Sequence, residues 1–244
     1  MSRSLNSQSL IAQAVQKPWL ELYQLKIRPV LVVFLVYSIN MNKSQIGVGP
    51  HPKPWPTDDK YDLDLLENGD TRNVLDKYRY WSNTAIKDYL NQSRVSLHIA
   101  IENWQHDFNA GTIVRNANAF NVEAVHIIGK KHYNRRGAMV TDKYMNVIHH
   151  ESVEKFVNAM KAENRHILGM DILPDALPLT QMTLPSKAVL VFGGEGPGLS
   201  EAMQQASEQI VMIEQFGSTR SVNVGVASGI AMYVWMQQNV LRNF

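Results

Sequence analysis

Three short stretches combine residue types and spacings that could hold and transform a ligand. The first, Asn109-Ala-Gly-Thr-Ile-Val-Arg115, sets an amide and a guanidinium six positions apart around Gly111. It follows an expected strand and opens an expected helix, so Asn109 stands where an N-cap would, and Gly111 admits another backbone or a ligand. On composition alone, a helix start whose arginine pairs with a carboxylate explains it more simply. The second, Val191-Phe-Gly-Gly-Glu-Gly-Pro-Gly-Leu-Ser200, can place several backbone N–H groups around a ligand. Its spacing is not a dinucleotide fingerprint, because the third glycine would fall at Leu199, and no Gly-Lys-Ser/Thr follows to make a P-loop. A strand-to-helix turn needs one or two glycines and here there are four, with Glu195 among them. If the strand ends are adjacent, Glu195 could meet Arg115.

The third stretch runs from Ile213 through Phe216-Gly-Ser-Thr-Arg-Ser-Val-Asn-Val-Gly225. Ser221 and Asn223 suit helix capping. The same segment also gathers Ser218, Thr219, Arg220, Ser221 and Asn223 beside a strand's C-terminal end, where ligands of parallel sheets collect. Small hydroxyls and an amide can bond a ribose or phosphate without crowding it.

Charge is concentrated in one further place. Lys130, Lys131, His132, Tyr133, Asn134, Arg135 and Arg136 form the densest basic cluster, suited to a phosphate backbone and a stacked base, or else to a solvated loop. Lys77, Arg79, Lys87 and Arg94 would extend that surface, at lower rank. The whole chain carries a formal charge of +2 with an isoelectric point near 8.7, too mild to indicate a polyanion by itself. It has no cysteine, which excludes disulfides, cysteine-zinc sites and thiol nucleophiles but does not separate cellular compartments. His149 and His150 are adjacent, and in a strand would point to opposite faces, so no metal site is expected.

These groups need a scaffold, and from Arg94 onward short apolar runs alternate with helical-period segments, the pattern of βα units around a largely parallel sheet. Strands are expected at Val95–Ile101, Ala124–Ile128, His166–Met170, Ala188–Phe192 and Gln209–Ile213. Helices are expected at Ala110–Phe120, Val153–Glu163, Leu199–Ala206 and Asn223–Leu241. The last is apolar on nearly every face near its start, which calls for more than one burying neighbour, a subunit interface among the candidates.

Upstream, residues 43–60 hold Gly47, Gly49, Pro50, Pro52, Pro54 and Pro56, an irregular linker, and Tyr61–Gln92 suits one or two short helices. The division expected is an N-terminal segment at 1–42, linker and helical extension at 43–92, and a catalytic domain at 93–244. The apolar run Pro29–Ile39 is shorter than the roughly 20 residues of a spanning helix. It lacks a signal-peptide cleavage site and starts far from Met1, so a buried strand, or a segment upstream of a true start at Met41, is the better reading. A membrane association is not expected.

Taken in order, the three motifs resemble those of the SPOUT methyltransferases, in the branch named after the TrmH and SpoU proteins. The resemblance covers residues from about 94 to 244: Asn-x-Gly-x-x-x-Arg, then Gly-Gly-Glu-Gly-Pro-Gly, then Ser-Val-Asn-Val-Gly-Val-Ala. Val222 stands where leucine is common and Gly225 where serine is common. What the resemblance implies is an α/β fold tied in a deep trefoil knot, with a mostly parallel sheet flanked by helices, that binds S-adenosyl-L-methionine. It implies cofactor contacts at Gly193, Ile213 and Val222, with Gly194 and Gly196 in the same loop. It further implies a cytoplasmic homodimer with parts of the active site meeting at the interface, acting on tRNA or rRNA without a metal.

The implied reaction is transfer of a methyl group to a ribose 2′-hydroxyl. Arg115 corresponds to the arginine assigned to activating that hydroxyl. A guanidinium titrates above about 12, so stabilising a developing alkoxide or orienting a phosphate suits it better than acting as a literal base. Asn109, Glu195, Ser221 and Asn223 would position it and the ribose, while Lys130, Lys131, Arg135 and Arg136 would bind RNA. The alternatives are a non-catalytic knotted RNA-binding or ribosome-assembly protein, and an enzyme using another nucleotide cofactor.

Overall fold

A computed structural model describes residues 47–104, 109–194, 196–219 and 221–243 of the chain. The apolar run Pro29–Ile39 and the candidate start at Met41 lie outside the described residues, as do Glu195 and Arg220. The chain divides into two compact units, meeting in sequence between Trp81 and Ser82.

Within the first unit, helix α1 (Leu63–Asn68) is capped by Asp62, whose carboxylate accepts from the N–H groups of Asp64 and Leu65, and buries Leu66. Asp70 is fully buried and organises its surroundings. It receives the Arg72 guanidinium at 2.8 and 2.7 Å and the Tyr80 N–H at 3.0 Å. Arg79 is buried too, donating to the Arg72 carbonyl at 2.6 Å, so it is structural rather than part of a basic surface.

The second unit begins with α2 (Asn83–Asn91), capped by the Ser82 hydroxyl. Its strands and α-helices then follow in the order β1 (Val95–Asn103), α3 (Ala110–Ala119), β2 (Val122–Gly129), β3 (Val147–His150), α4 (Val153–Ala162), β4 (His166–Met170), β5 (Leu177–Pro178), β6 (Ala188–Phe192), α5 (Glu201–Ala206), β7 (Gln209–Met212) and α6 (Val224–Asn239). The seven strands are ordered β3-β2-β1-β6-β4-β7-β5, and every pairing is parallel. The mostly parallel sheet expected from the sequence is therefore present, and β4 and β6 have the expected bounds.

A parallel sheet covered on both faces must bury both sets of alternating side chains, which is why its strands read as continuous apolar runs. On β1, Leu97, Ile99 and Ile101 join the core beneath α3 and α6, while Ala100 joins the opposite core with Phe156 and Met160 of α4 and Met203 of α5. Helix α6 buries Gly225, Ser228, Ala231, Met232 and Trp235. It meets more than one neighbour, as its composition calls for, packing against α3 and β6, while its outer face leaves Val226 53%, Ile230 39% and Tyr233 50% exposed. Arg94, ranked as a possible basic-surface residue, instead donates to the carbonyls of Val122 at 3.0 Å and Tyr144 at 2.6 Å, tying α2 to the sheet. No helix among the described residues is long and apolar enough to cross a membrane.

Candidate active site

A cavity of about 360 Å³ opens at the C-terminal ends of β6, β4 and β7. Parallel sheets gather ligands at this edge, and the volume is that of a small-molecule site. Four glycines stand among its lining residues, beside apolar side chains such as Phe192 and Met212. Gly193, Gly194, Gly196 and Gly198 form one side, and Ile213, Ser221, Val222 and Asn223 another. The first loop folds back on itself, with the Gly198 N–H donating to the Gly194 carbonyl at 3.1 Å. A Cβ at position 193 would stand 2.1 Å from the Gly198 carbonyl carbon, so only glycine permits that return.

A side-chain hydrogen bond joins the first motif to this wall. The Asn223 side-chain amide donates to Asn109 Oδ1 at 2.9 Å, across 114 positions of sequence. Asn223 also caps α6, its Oδ1 accepting the Val226 N–H at 3.3 Å. Asn109 occupies the N-cap position of α3, but in helical geometry and with no side-chain capping bond. The capping role open to Asn109 is thus not taken, because its acceptor oxygen faces Asn223. Arg115 is exposed on α3 and is not among the residues lining the cavity. Of the expected site residues, Gly193, Gly194, Gly196, Ile213, Ser221, Val222 and Asn223 line it and Asn109 adjoins it. Glu195, and with it any contact to Arg115, lies outside the described residues.

The basic cluster leaves β2 as a separate surface. Lys130, Lys131, Arg135 and Arg136 are exposed. Their loop is held by its main chain: the Asn103 side-chain amide donates to the carbonyls of Lys130 at 2.7 Å and His132 at 3.0 Å. It also lies hard against the start of α3. A Cβ at Gly111 would meet the Asn134 carbonyl oxygen at 2.6 Å, so the close approach allowed by that glycine is made by another backbone. Arg135 is partly engaged, 3.7 Å from Asp142 and over the Tyr133 ring at 5.7 Å.

Sequence reasoning missed two carboxylates that hold the glycine-rich loop. Glu102, at the end of β1, accepts the Ser200 N–H and hydroxyl, both at 2.7 Å. Asp171, just after β4, accepts the Leu199 N–H at 2.8 Å. Nothing in the local sequence marks either residue, beyond a charge placed directly at the end of an apolar run.

The histidines divide as the alternation of a strand requires. His149 donates to the Gly129 carbonyl at 2.7 Å, whereas His150 faces the other way and bonds His126 at 2.8 Å. His126 in turn bonds His98 at 2.9 Å, giving a ladder of three imidazoles across β3, β2 and β1. Burial, with the nearby Arg165, lowers the His98 pKa to about 3. Burial, with both neighbouring histidines and Arg165, lowers that of His126 to about 2. Burial also lowers His150. Among the described residues no group of three or more His, Cys, Asp or Glu is arranged to hold a metal ion.

The sequence profile of the SpoU rRNA Methylase family matches residues 96–233, more than half of the chain. The tRNA (guanosine(18)-2′-O)-methyltransferase of Borreliella burgdorferi is 26% identical over 151 residues, 61% of this chain and 69% of that protein. The 23S rRNA (guanosine-2′-O-)-methyltransferase RlmB of Neisseria meningitidis serogroup B is 28% identical over 143 residues, 55% of this chain and only 56% of the relative. Among solved structures, the A. aeolicus TrmH/SpoU tRNA modifying enzyme superposes with a TM-score of 0.58 at 21% identity, covering 66% of this chain and 84% of that one. The SpoU methyltransferase AviRb from Streptomyces viridochromogenes, in complex with AdoMet, gives 0.55 at 20% identity, covering 61% and 59%. At these identities the superpositions establish the fold alone.

Proposed function

This chain belongs to the SpoU rRNA Methylase family, and from that membership we propose that it transfers a methyl group from S-adenosyl-L-methionine to a ribose 2′-hydroxyl of tRNA or rRNA. The observation that carries the reading is the convergence of the second and third motifs on one cavity, with the first motif joined to it through Asn109 and Asn223. The curated relatives named above bear 2′-O-methyltransferase names, which supports the same reaction. The cavity suits the cofactor on its own terms: its size is right, and its glycine walls leave main-chain N–H and C=O groups free of Cβ atoms to meet a nucleoside.

Bound there, the cofactor supplies an electrophilic methyl carried on a sulfonium. The residues of the chain must then position the ribose and help its hydroxyl lose a proton. Gly193, Gly194, Gly196, Ile213 and Val222 hold the cofactor. Ser221 and Asn223 stand on the same wall, and Asn109 fixes the Asn223 amide. Arg115 stabilises the developing alkoxide or an adjoining phosphate, oriented by Glu195. Because Arg115 is exposed and outside the cavity wall, it completes the site in a homodimer, which the exposed Val226, Ile230 and Tyr233 of α6 also favour. Lys130, Lys131, Arg135 and Arg136 bind the RNA backbone. A knotted path of the chain after β6, a catalytic domain at 93–244 and a cytoplasmic location belong to the same proposal.

Calorimetric titration with S-adenosylmethionine, followed by mass mapping of ribose-methylated nucleosides after incubation with tRNA and rRNA, tests it. Micromolar binding and a new 2′-O-methylated nucleoside are expected. Absence of cofactor binding would leave a non-catalytic RNA-binding protein as the better description.

A further inference from the structure

The two carboxylates that hold the glycine-rich loop stand at the C-terminal ends of β1 and β4, the strands on either side of β6. They receive the N–H groups of consecutive residues, Leu199 and Ser200, and so close the loop from both sides. They differ in what else they face. Glu102 is fully buried, and its oxygens are occupied by Ser200 and by the Trp104 indole N–H at 3.0 Å, so it acts only through the loop. Asp171 is partly exposed on the cavity wall, its Oδ1 taking the Ile172 N–H at 2.7 Å and its Oδ2 that of Leu199. A carboxylate has about four lone-pair sites, which leaves acceptor capacity on both oxygens. Among the described residues that line the cavity, Asp171 bears the only ionisable side chain.

We infer that Asp171 is a specificity-determining residue that makes this cavity favour the positively charged cofactor over its uncharged product. The inference rests on the S-adenosylmethionine reading above. S-adenosylmethionine carries a net positive charge through its sulfonium, whereas S-adenosylhomocysteine has a neutral thioether and no net charge. A fixed negative charge on the wall of a partly desolvated cavity attracts the first and not the second. Loss of that attraction once the methyl has left favours exchange of product for fresh cofactor.

The test is calorimetric titration of the full chain with S-adenosylmethionine, with sinefungin, whose amine keeps a positive charge and transfers nothing, and with S-adenosylhomocysteine. Asp171→Asn should lower the preference for both cationic ligands over S-adenosylhomocysteine by about tenfold. Glu102→Gln also disturbs the loop but leaves the wall charge, so it should weaken all three ligands in proportion and keep the ratio. Thermal melting of each variant checks folding, and Asp171→Ser, equally uncharged and smaller, gives the same reading if Asp171→Asn does not fold. Equal weakening of all three ligands in the Asp171 variants would show that the residue only shapes the loop, and would overturn the inference. A wild-type chain that binds S-adenosylhomocysteine as tightly as the cationic ligands would overturn it as well, while leaving the cofactor assignment intact. A wild-type chain that binds none of them overturns the cofactor reading and this one with it.

Discussion

The glycine-rich loop after β6 and the basic loop after β2 both leave the sheet at the C-terminal ends of parallel strands, yet they present opposite kinds of surface. The first turns inward, is gripped by Glu102 and Asp171, and offers mostly main chain to the cavity. The second turns outward, is gripped through its own main chain by Asn103 and by the tight approach at Gly111, and offers Lys130, Lys131, Arg135 and Arg136 to solvent. Spending side chains on holding a loop leaves its backbone free to bind; spending backbone on holding it leaves side chains free. The first arrangement depends on shape and tolerates little change. The second depends on summed charge and should degrade by degrees.

The sharpest way to break the contrast is Gly193→Ala. The added methyl collides with main chain 2.1 Å away, so cofactor binding should disappear in calorimetry, with a destabilisation of about 1–3 kcal/mol by thermal melting. An alanine variant that bound normally would mean that the loop is not shape-limited. Next in size, Arg115→Ala should lower methyl transfer by about 100-fold or more while leaving cofactor affinity within about twofold, because the arginine lies outside the cavity wall. A radiolabelled-methyl assay paired with titration measures both, and unchanged turnover would remove Arg115 from the catalytic set.

On the basic side, reversing Lys130, Lys131, Arg135 and Arg136 one at a time should weaken RNA binding in graded steps. Each step should also reduce the slope of log affinity against log salt by about 0.7–0.9. Arg135 should give the smallest step, since Asp142 already partly neutralises it. Identical salt slopes in all four variants and the wild type would place the RNA elsewhere.

The smallest effect concerns the strands beneath the two loops. The imidazole ladder joins β3, β2 and β1, whose β2 feeds the basic loop, and its two buried members stay neutral in the folded chain, with His98 at about 3 and His126 at about 2 against 6.5 in the unfolded chain. The unfolded chain therefore binds more protons throughout that interval. Stability from this source is complete above about pH 6.5 and is lost progressively as pH falls toward 3. Hydrogen exchange at decreasing pH, corrected for its intrinsic pH dependence, should show β2 and β3 loosening before β4 and β6. Simultaneous loosening of all four strands would mean that the ladder does not set local stability.

How far these two loops were legible in advance follows the same division. Each announces itself by composition, four glycines in one and four cations in the other, and β4 and β6 were readable to the residue as unbroken apolar runs. What grips the loops was not readable. Glu102 and Asp171 are ordinary acidic residues until β1, β6 and β4 lie side by side, and the bond between Asn223 and Asn109 spans 114 positions. Strand β3 escaped notice because Val147–His150 is a four-residue edge strand with two histidines, and β5 because it has two residues. The apolar start of α6 was legible as unusual, but only the fold shows which stripe meets the core and which meets solvent.

The contact of Gly193 with Gly198 also bears on how such a chain can drift over generations. Where one side of a hollow is walled by glycine main chain, substitutions that preserve the fold rewrite side chains elsewhere without touching that side. A lineage can exchange most of its residues and keep the hollow open. The same lineage has no freedom at position 193, where one methyl group closes it.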